Sequence, residues 1–255
     1  MTVKMSVVTP SYNQGRYIER TIQSVLGQTG DFELDYCVVD GGSTDGTLDV
    51  LRRHGARLRW ISERDRGQRD AINKGFRMTG GEIVAWLNSD DLYRAGALES
   101  IAREYQREPF AWCFGNCRVV DEDDREIRQS ITRYKVAQSR RYSYDRLLRR
   151  CFVSQPATFF SRSAYEAIGD VSRELTYSMD YDYWLRLGKR WPPRYLERFL
   201  ADFRWHARSK NGGAYRAAAW ETYQTARRHA GPGHAVDLAF HFLHFCALSV
   251  VYRFL

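Results

Sequence analysis

Residues 81–91 read GEIVAWLNSDD. Glu82–Leu87 is a short, mostly apolar run, as expected of a strand buried on both faces. It ends in Asn88-Ser89-Asp90-Asp91, where two adjacent carboxylates repel each other, and burial strengthens that repulsion. Three readings remain open. Asp90 or Asp91 caps the next helix, since acids favour its positive N-terminal end. Alternatively the pair does acid–base chemistry, or it holds a hard divalent cation whose remaining ligands are substrate phosphate oxygens.

Outward from this stretch, strands and helices alternate. Met5–Thr9, Tyr36–Asp40, Leu58–Ser62 and Ala111–Asn116 read as further strands. Ile18–Gln28, Thr47–Arg53, Gln68–Met78 and Ala95–Gln106 read as helices, the first with Ile18, Ile22, Val25 and Leu26 on one face. The pattern predicts βαβ units and a mostly parallel sheet. Ligands of such sheets bind beyond the carboxyl ends of the strands. Polar loops follow four strands there: TPSYNQ, DGGSTDG, ERDRG and NSDD. Beyond residue 117 the alternation stops. Residues 119–127 suggest a hairpin, 154–162 a strand, 179–187 the start of a helix, and 199–211 a strand entering a polar loop. From Ala214 two helices are expected, broken at Gly231-Pro232-Gly233.

The 255 residues, 44% hydrophobic and 14% aromatic, suffice for a packed core. The 34 Arg against 5 Lys and the net charge of +8 fit either a compositional bias or an anionic partner. Charge alone is no argument for nucleic acid, and no nucleic-acid partner is expected. Five cysteines lack zinc spacing and read as reduced, in a cytoplasmic protein. No stretch reaches the ~20 apolar residues of a membrane span, and the start lacks the apolar run of a signal peptide.

Strand 1 is followed by TPSYN rather than G-x-G-x-x-G, which disfavours a dinucleotide oxidoreductase; no P-loop is present either. Asp40, at a strand end, is placed to accept from a base N–H or a ribose hydroxyl. VVTPSYNQGRYIERTIQSVLGQT, VVDGGSTDGT, ERDRGQRDAINKG and GEIVAWLNSDD occur in this order, followed by SQPATFF, DYDYWLRL and RWHARSKN. Together they resemble the inverting family 2 glycosyltransferases, over about four-fifths of the chain.

The resemblance implies the glycosyltransferase-A fold: a Rossmann-like, mostly parallel sheet flanked by helices, with an acceptor-side elaboration. Residues 1–211 would be the catalytic domain, with 1–117 binding the donor and 118–211 facing the acceptor; 212–255 would be a helical extension. The resemblance puts Thr9, Pro10, Ser11 and Tyr12 around the nucleotide base, with Asp40 binding it and Asp65 and Gly67 near base and ribose. The family's Asp-x-Asp motif reads Asn88-Ser89-Asp90 here. Asp90 keeps the position of the ligand to Mn²⁺ or Mg²⁺, Asp91 is a helper, and Asn88 can meet a sugar hydroxyl without bringing charge. Asp180 falls where the family has its catalytic base, with Asp182 the runner-up on the acceptor side. His206 falls where relatives have a metal or diphosphate contact. Arg204 and Arg208 would touch phosphate, and Gln155 would line the acceptor pocket or be a buried amide.

The implied activity is a hexosyltransferase that moves one sugar from a nucleotide donor, a UDP-sugar foremost, to a glycan or lipid-linked glycan of a surface polysaccharide. The Gln-x-x-Arg-Trp motif of processive synthases is not present. The competing readings are a polyprenyl-phosphate sugar transferase and a nucleotide-sugar-binding protein without catalysis. The basic, Tyr-rich segment 133–150 reads as a solvated helix or a contact for anionic headgroups. The apolar segment 234–255 reads as a core helix, a homodimer contact, or a peripheral helix at the inner face of the cell membrane.

Overall fold

The computed structural model describes residues 2–206 and 214–251; Arg208 and the end of the RWHARSKN motif lie outside them. Strands β1 (Val3–Ser11), β2 (Phe32–Asp40), β3 (Arg59–Ser62) and β4 (Ile83–Trp86) alternate with helices α1 (Ile18–Leu26), α2 (Thr47–His54) and α3 (Gln68–Met78). The strands pair in parallel in the order β3-β2-β1-β4, as the alternation predicts. Both faces of β1 and β4 are buried, which is why they read as apolar runs rather than alternating ones.

The second half follows in chain order. It comprises β5 (Leu92–Tyr93), α4 (Ala97–Arg107), β6 (Trp112–Val120), β7 (Glu126–Ile127), α5 (Gln129–Ser139), α6 (Tyr144–Arg149), β8 (Thr158–Ser161), α7 (Arg162–Ile168), α8 (Met179–Arg190), β9 (Arg194–Arg204), α9 (Tyr215–His229) and α10 (Ala235–Val251). The sheet continues β4-β8-β6-β9-β5, with β7 paired to β6. Strand β8 is antiparallel to both β4 and β6, so the strand after α4 does not lie beside β4. The expected hairpin at 119–127 is the β6–β7 turn.

One early reading fails here. The NSDD loop leads into β5, not into a helix, and α4 begins at Ala97 after a left-handed Gly96. Neither Asp90 nor Asp91 caps it.

Two apolar layers cover the sheet. Val7, Val38 and Ala85 face α1 and α4, while Val8, Val39, Val84 and Trp86 face α3 and α8. Helix α3 lies directly on β1 because Gly75 has no side chain: a Cβ there would meet Val8 Cγ1 at 2.2 Å. Trp184 of α8 stacks on Trp86 at 5.4 Å and on Trp112 at 6.2 Å. These contacts seat α8 over the end of β4. The C-terminal helices are part of this packing: Ala226 of α9 is fully buried, and Leu238 of α10 packs against the same layer. All five cysteines are free thiols.

Candidate active site

The parallel register brings the carboxyl ends of β1, β2 and β3 level, with Ser11 opposite Asp40 and Asp40 opposite Ser62. The first two loops are then stitched together. The Asn13 N–H donates to Ser43 Oγ (2.7 Å), the Thr44 N–H to Asn13 Oδ1 (2.9 Å) and the Gly15 N–H to Asp45 Oδ2 (2.9 Å). Asn13 adopts a left-handed φ of 52° to do so. Of the four residues expected around a base, Thr9 is buried and shares a hydrogen bond with the Tyr36 hydroxyl (3.0 Å). Pro10 and Ser11 are also buried, and Ser11 Oγ has no partner among the described residues. Tyr12 stands 61% exposed, a large ring held at the rim with its face open to solvent.

Asp40 departs from expectation. It is fully buried and its carboxylate accepts from the Gly42 and Ser43 N–H groups (3.1 and 2.8 Å), the Ser43 hydroxyl (2.5 Å) and the Ser62 hydroxyl (2.7 Å). It holds its own loop and has no surface for a base. The acid nearer the rim is Asp65. It accepts from the Gly67 N–H (2.8 Å) and lies so close over Gly41 that a Cβ there would meet Asp65 Oδ2 at 2.9 Å. Gly67, at φ 103°, turns the chain into α3.

The NSDD loop is tied from several directions. Thr21 of α1 donates to the carbonyls of Ser89 (2.9 Å) and Asp91 (2.8 Å). Asn88 is a hub: its amide donates to Asp91 Oδ2 (3.1 Å) and Gln155 Oε1 (3.0 Å), and its Oδ1 accepts from Gln68 (2.7 Å). Gln155, buried in the short turn that leads into β8, also donates to the Trp86 carbonyl (2.6 Å). It is therefore a buried amide that positions Asn88, not an open pocket wall.

The two adjacent acids separate completely. Asp91 is fully buried and accepts from the Arg204 N–H (3.0 Å) as well as from Asn88. Burial, then the charge of Asp90, pushes its carboxyl well above the usual range. It turns into the core and is not presented alongside Asp90. Asp90 turns the other way, and its Oδ2 lies 3.1 Å from His206 Nε2, with its side chain still 20% exposed. His206 is buried, stacks on Tyr17 at 4.6 Å between centroids, and has no partner for Nδ1 among the described residues.

Arg204, expected near phosphate, is fully buried beneath this pair. Its guanidinium donates to the Asp90 carbonyl (2.7 Å) and to Asp124 in the β6–β7 turn, and lies over the Tyr17 ring at 5.3 Å from its centroid. It braces the loop rather than meeting a ligand.

Asp180 occupies the first turn of α8, one helical turn before Trp184, so the two share the face that packs toward β4. Asp182 is committed elsewhere: it accepts from Arg186 Nε (2.9 Å) and faces His229 Nε2 (2.8 Å). Burial pushes its carboxyl up, but these two partners outweigh that and hold it below the usual range.

Sequence reasoning missed Gln68, Tyr17 and Glu221. Gln68 opens α3 inside a motif already singled out, so its place was available. Glu221, on α9, accepts from the N–H groups of Thr176 (3.0 Å), Tyr177 (2.6 Å) and Ser178 (2.8 Å), immediately before Asp180. Nothing local in the sequence signals that contact.

A second cluster of possible metal ligands, Asp145, His234 and Asp237, lies between α6 and α10. It is a poor cation site. Arg149 pairs with Asp237, and His234 Nδ1 accepts from the Gly231 N–H, leaving Nε2 to carry the proton toward Asp145. The rim pair fits a cation better: one carboxylate oxygen and one imidazole nitrogen side by side, partly open, with no basic side chain on either atom among the described residues. A nitrogen ligand suits Mn²⁺ better than Mg²⁺.

A family profile described as "Glycosyl transferase family 2" matches residues 6–169. An uncharacterized glycosyltransferase of Nostoc sp. is 33% identical over 134 residues, covering 51% of this chain and 41% of that protein. The chain spans well under half the length of the curated relatives it matches first. S. aureus TarS 1-349 in complex with UDP-GlcNAc superposes with a TM-score of 0.69 at 19% identity, over 92% of this chain and 69% of that one. The Pyrobaculum calidifontis mannosyltransferase PcManGT, in complex with GDP-Man and Mn²⁺, gives 0.69 at 18% identity over 99% and 76%. These likenesses show a shared glycosyltransferase-A fold. The profile match spans β1 to α7, and with it the loops that build the rim: the chain belongs to glycosyl transferase family 2.

Proposed function

We propose that the chain is a metal-dependent, inverting glycosyltransferase that adds a single sugar from a UDP-sugar to a glycan or lipid-linked glycan in surface polysaccharide assembly. The observation that carries this reading is the pairing of Asp90 and His206, 3.1 Å apart, at the carboxyl rim of the sheet. Bound there, Mn²⁺ or Mg²⁺ would supply positive charge to the leaving diphosphate.

The side chains divide the remaining work. Tyr12 offers its exposed ring to the base, and Asp65 offers a carboxylate to the base or ribose. Asn88 is held by Asp91, Gln155 and Gln68, which fixes the floor under the donor sugar. Asp180 is the base. As the acceptor hydroxyl oxygen attacks the anomeric carbon, its proton passes to the Asp180 carboxylate. The bond from that carbon to the diphosphate breaks, and the nucleoside diphosphate departs with the electron pair. Asp180 is preferred to Asp182 because Asp182 is paired with Arg186 and hydrogen-bonded to His229.

The test is release of nucleoside diphosphate from a panel of UDP-, GDP- and dTDP-sugars with acceptor and Mn²⁺. Asp180→Asn is expected to keep donor binding and lower turnover by about 10²–10⁴-fold. Full turnover in that variant would point to an acceptor that is already an anion, a polyprenyl phosphate. No turnover of any donor by the parent protein would reject catalysis.

A further inference from the structure

Helix α10 is apolar on more than one side: Leu238 packs inward, yet a second set of apolar residues is left exposed. Its inward side carries Asp237 and His241, both buried; Asp237 pairs with Arg149, and His241 Nδ1 donates to the Leu148 carbonyl (2.7 Å). Its outward side carries Val236 (61% exposed), Phe240 (56%) and Leu243 (63%), spaced i, i+4, i+7 as one stripe. A surface helix of a water-soluble domain normally presents the opposite arrangement. The aromatic contacts of Trp220 and Tyr223 on α9 with Phe242 and Phe245 fix the helix in this orientation.

Beside the stripe lies a shallow open cavity of about 230 Å³, lined by Tyr134, Gln138, Arg146, Arg149, Arg150 and Phe240. The Arg149 guanidinium lies over the Phe240 ring at 5.6 Å, and that of Arg150 over Tyr134 at 5.4 Å. Arg149 is neutralised by Asp237, whereas Arg146 and Arg150 donate to neutral oxygens of Gln138 and Tyr134. Apolar side chains and adjacent cations on one face are the two components of interfacial binding: insertion among acyl chains and attraction to anionic headgroups.

We infer that this face docks on an anionic phospholipid bilayer, with Val236, Phe240 and Leu243 inserted and Arg146 and Arg150 at the headgroup level. No helix among the described residues is long and apolar enough to cross a membrane, so contact through α10 would be interfacial. A second copy meeting this face would bring the same arginines with it, and like charge opposes that contact. The face is also joined to the rim. Tyr181, next to Asp180, donates its hydroxyl proton to the Leu147 and Leu148 carbonyls of α6 (2.8 and 3.1 Å), the helix that carries Arg146 and Arg149.

The test is flotation of the full chain with vesicles of pure phosphatidylcholine and vesicles containing roughly one-third phosphatidylglycerol, without donor or acceptor. The expected result is binding to the anionic vesicles that weakens with salt and falls about tenfold or more in Phe240→Asp/Leu243→Asp. Arg150→Gln, which leaves the apolar stripe intact, should weaken binding to anionic vesicles several-fold, and it keeps the test open if the double variant does not fold. Absence of binding to either vesicle overturns the proposal. So does a dimer in sedimentation that the double variant disperses, since the occupant is then a second copy. Lipid binding is read without turnover, so either result leaves the glycosyl-transfer proposal to its own test.

Discussion

The amide of Asn88 donates to Asp91 at 3.1 Å and to Gln155 at 3.0 Å, and both bonds need N–H donors. A carboxylate at 88 would face the buried Asp91 carboxylate at about the same separation, and two such groups do not both ionise. Asn88→Asp is therefore expected to cost about 1–3 kcal/mol of stability, as lost hydrogen bonds plus repulsion. The sign with pH follows from the raised carboxyl pKa. The shared proton stabilises the folded state at low pH, and that contribution is lost as pH rises through the folded value. Thermal melts should show the variant closer to the parent near pH 5 than near pH 8; an equal deficit at both would contradict this account. The same residues show what a motif can and cannot reveal. Position in two separate motifs pointed to Asp90 and His206, which lie 3.1 Å apart in the fold. It could not tell which of Asp90 and Asp91 faces inward, or that Asp40, Gln155 and Arg204 are buried, because those facts depend on neighbours far away in sequence.

Between elements, two contacts decide how the site is held. Glu221 of α9 accepts from three successive N–H groups leading into α8. Burial pushes its carboxyl up, but the donors of Ser178, Tyr177 and Thr176 outweigh this and leave it below the usual range. A lowered folded pKa means its contribution is present above the unfolded value of ~4.3 and is lost as pH falls through the folded one. Glu221→Gln should remove that part of the acid sensitivity and cost about 1–2 kcal/mol after solvent screening. It should also lower kcat more than donor affinity, because the segment it orders presents Asp180. Unchanged kcat would show that the contact is only structural. The second contact is α3 on β1. Gly75→Ala would force a Cβ to 2.2 Å from Val8 Cγ1 and should destabilise by about 1–3 kcal/mol, with Val8→Ala in the same chain restoring part of it. The alternating half of the sheet was legible because each parallel strand is a short apolar run and each helix has one apolar face. The insertion of β8 between β4 and β6 was not, since Phe160 pairs with Val84 and Trp112 across long loops that carry no local signal.

At the scale of the whole molecule, one sheet carries the rim at the carboxyl ends of β1 to β4, and β8, α6 and α8 pack beside it; the proposal assigns the first to the donor and the second to the acceptor. The C-terminal helices join the two functions: α9 orders the approach to Asp180, and α10 turns an apolar stripe outward. The reading of the chain as a catalytic part plus an extension at 212 follows sequence, while the packing of Ala226 and Leu238 in the same core layer as Trp86 joins the two. The central claim is that a cation held by Asp90 and His206 receives the donor diphosphate. Its most direct test is calorimetric titration of UDP-, GDP- and dTDP-sugars with and without Mn²⁺, in the parent chain and in Asp90→Asn. The account predicts binding of one donor class that is tighter with Mn²⁺ by about tenfold or more, and loss of that metal dependence in the variant. Donor binding indifferent to Mn²⁺, or unchanged metal dependence in Asp90→Asn, would contradict it.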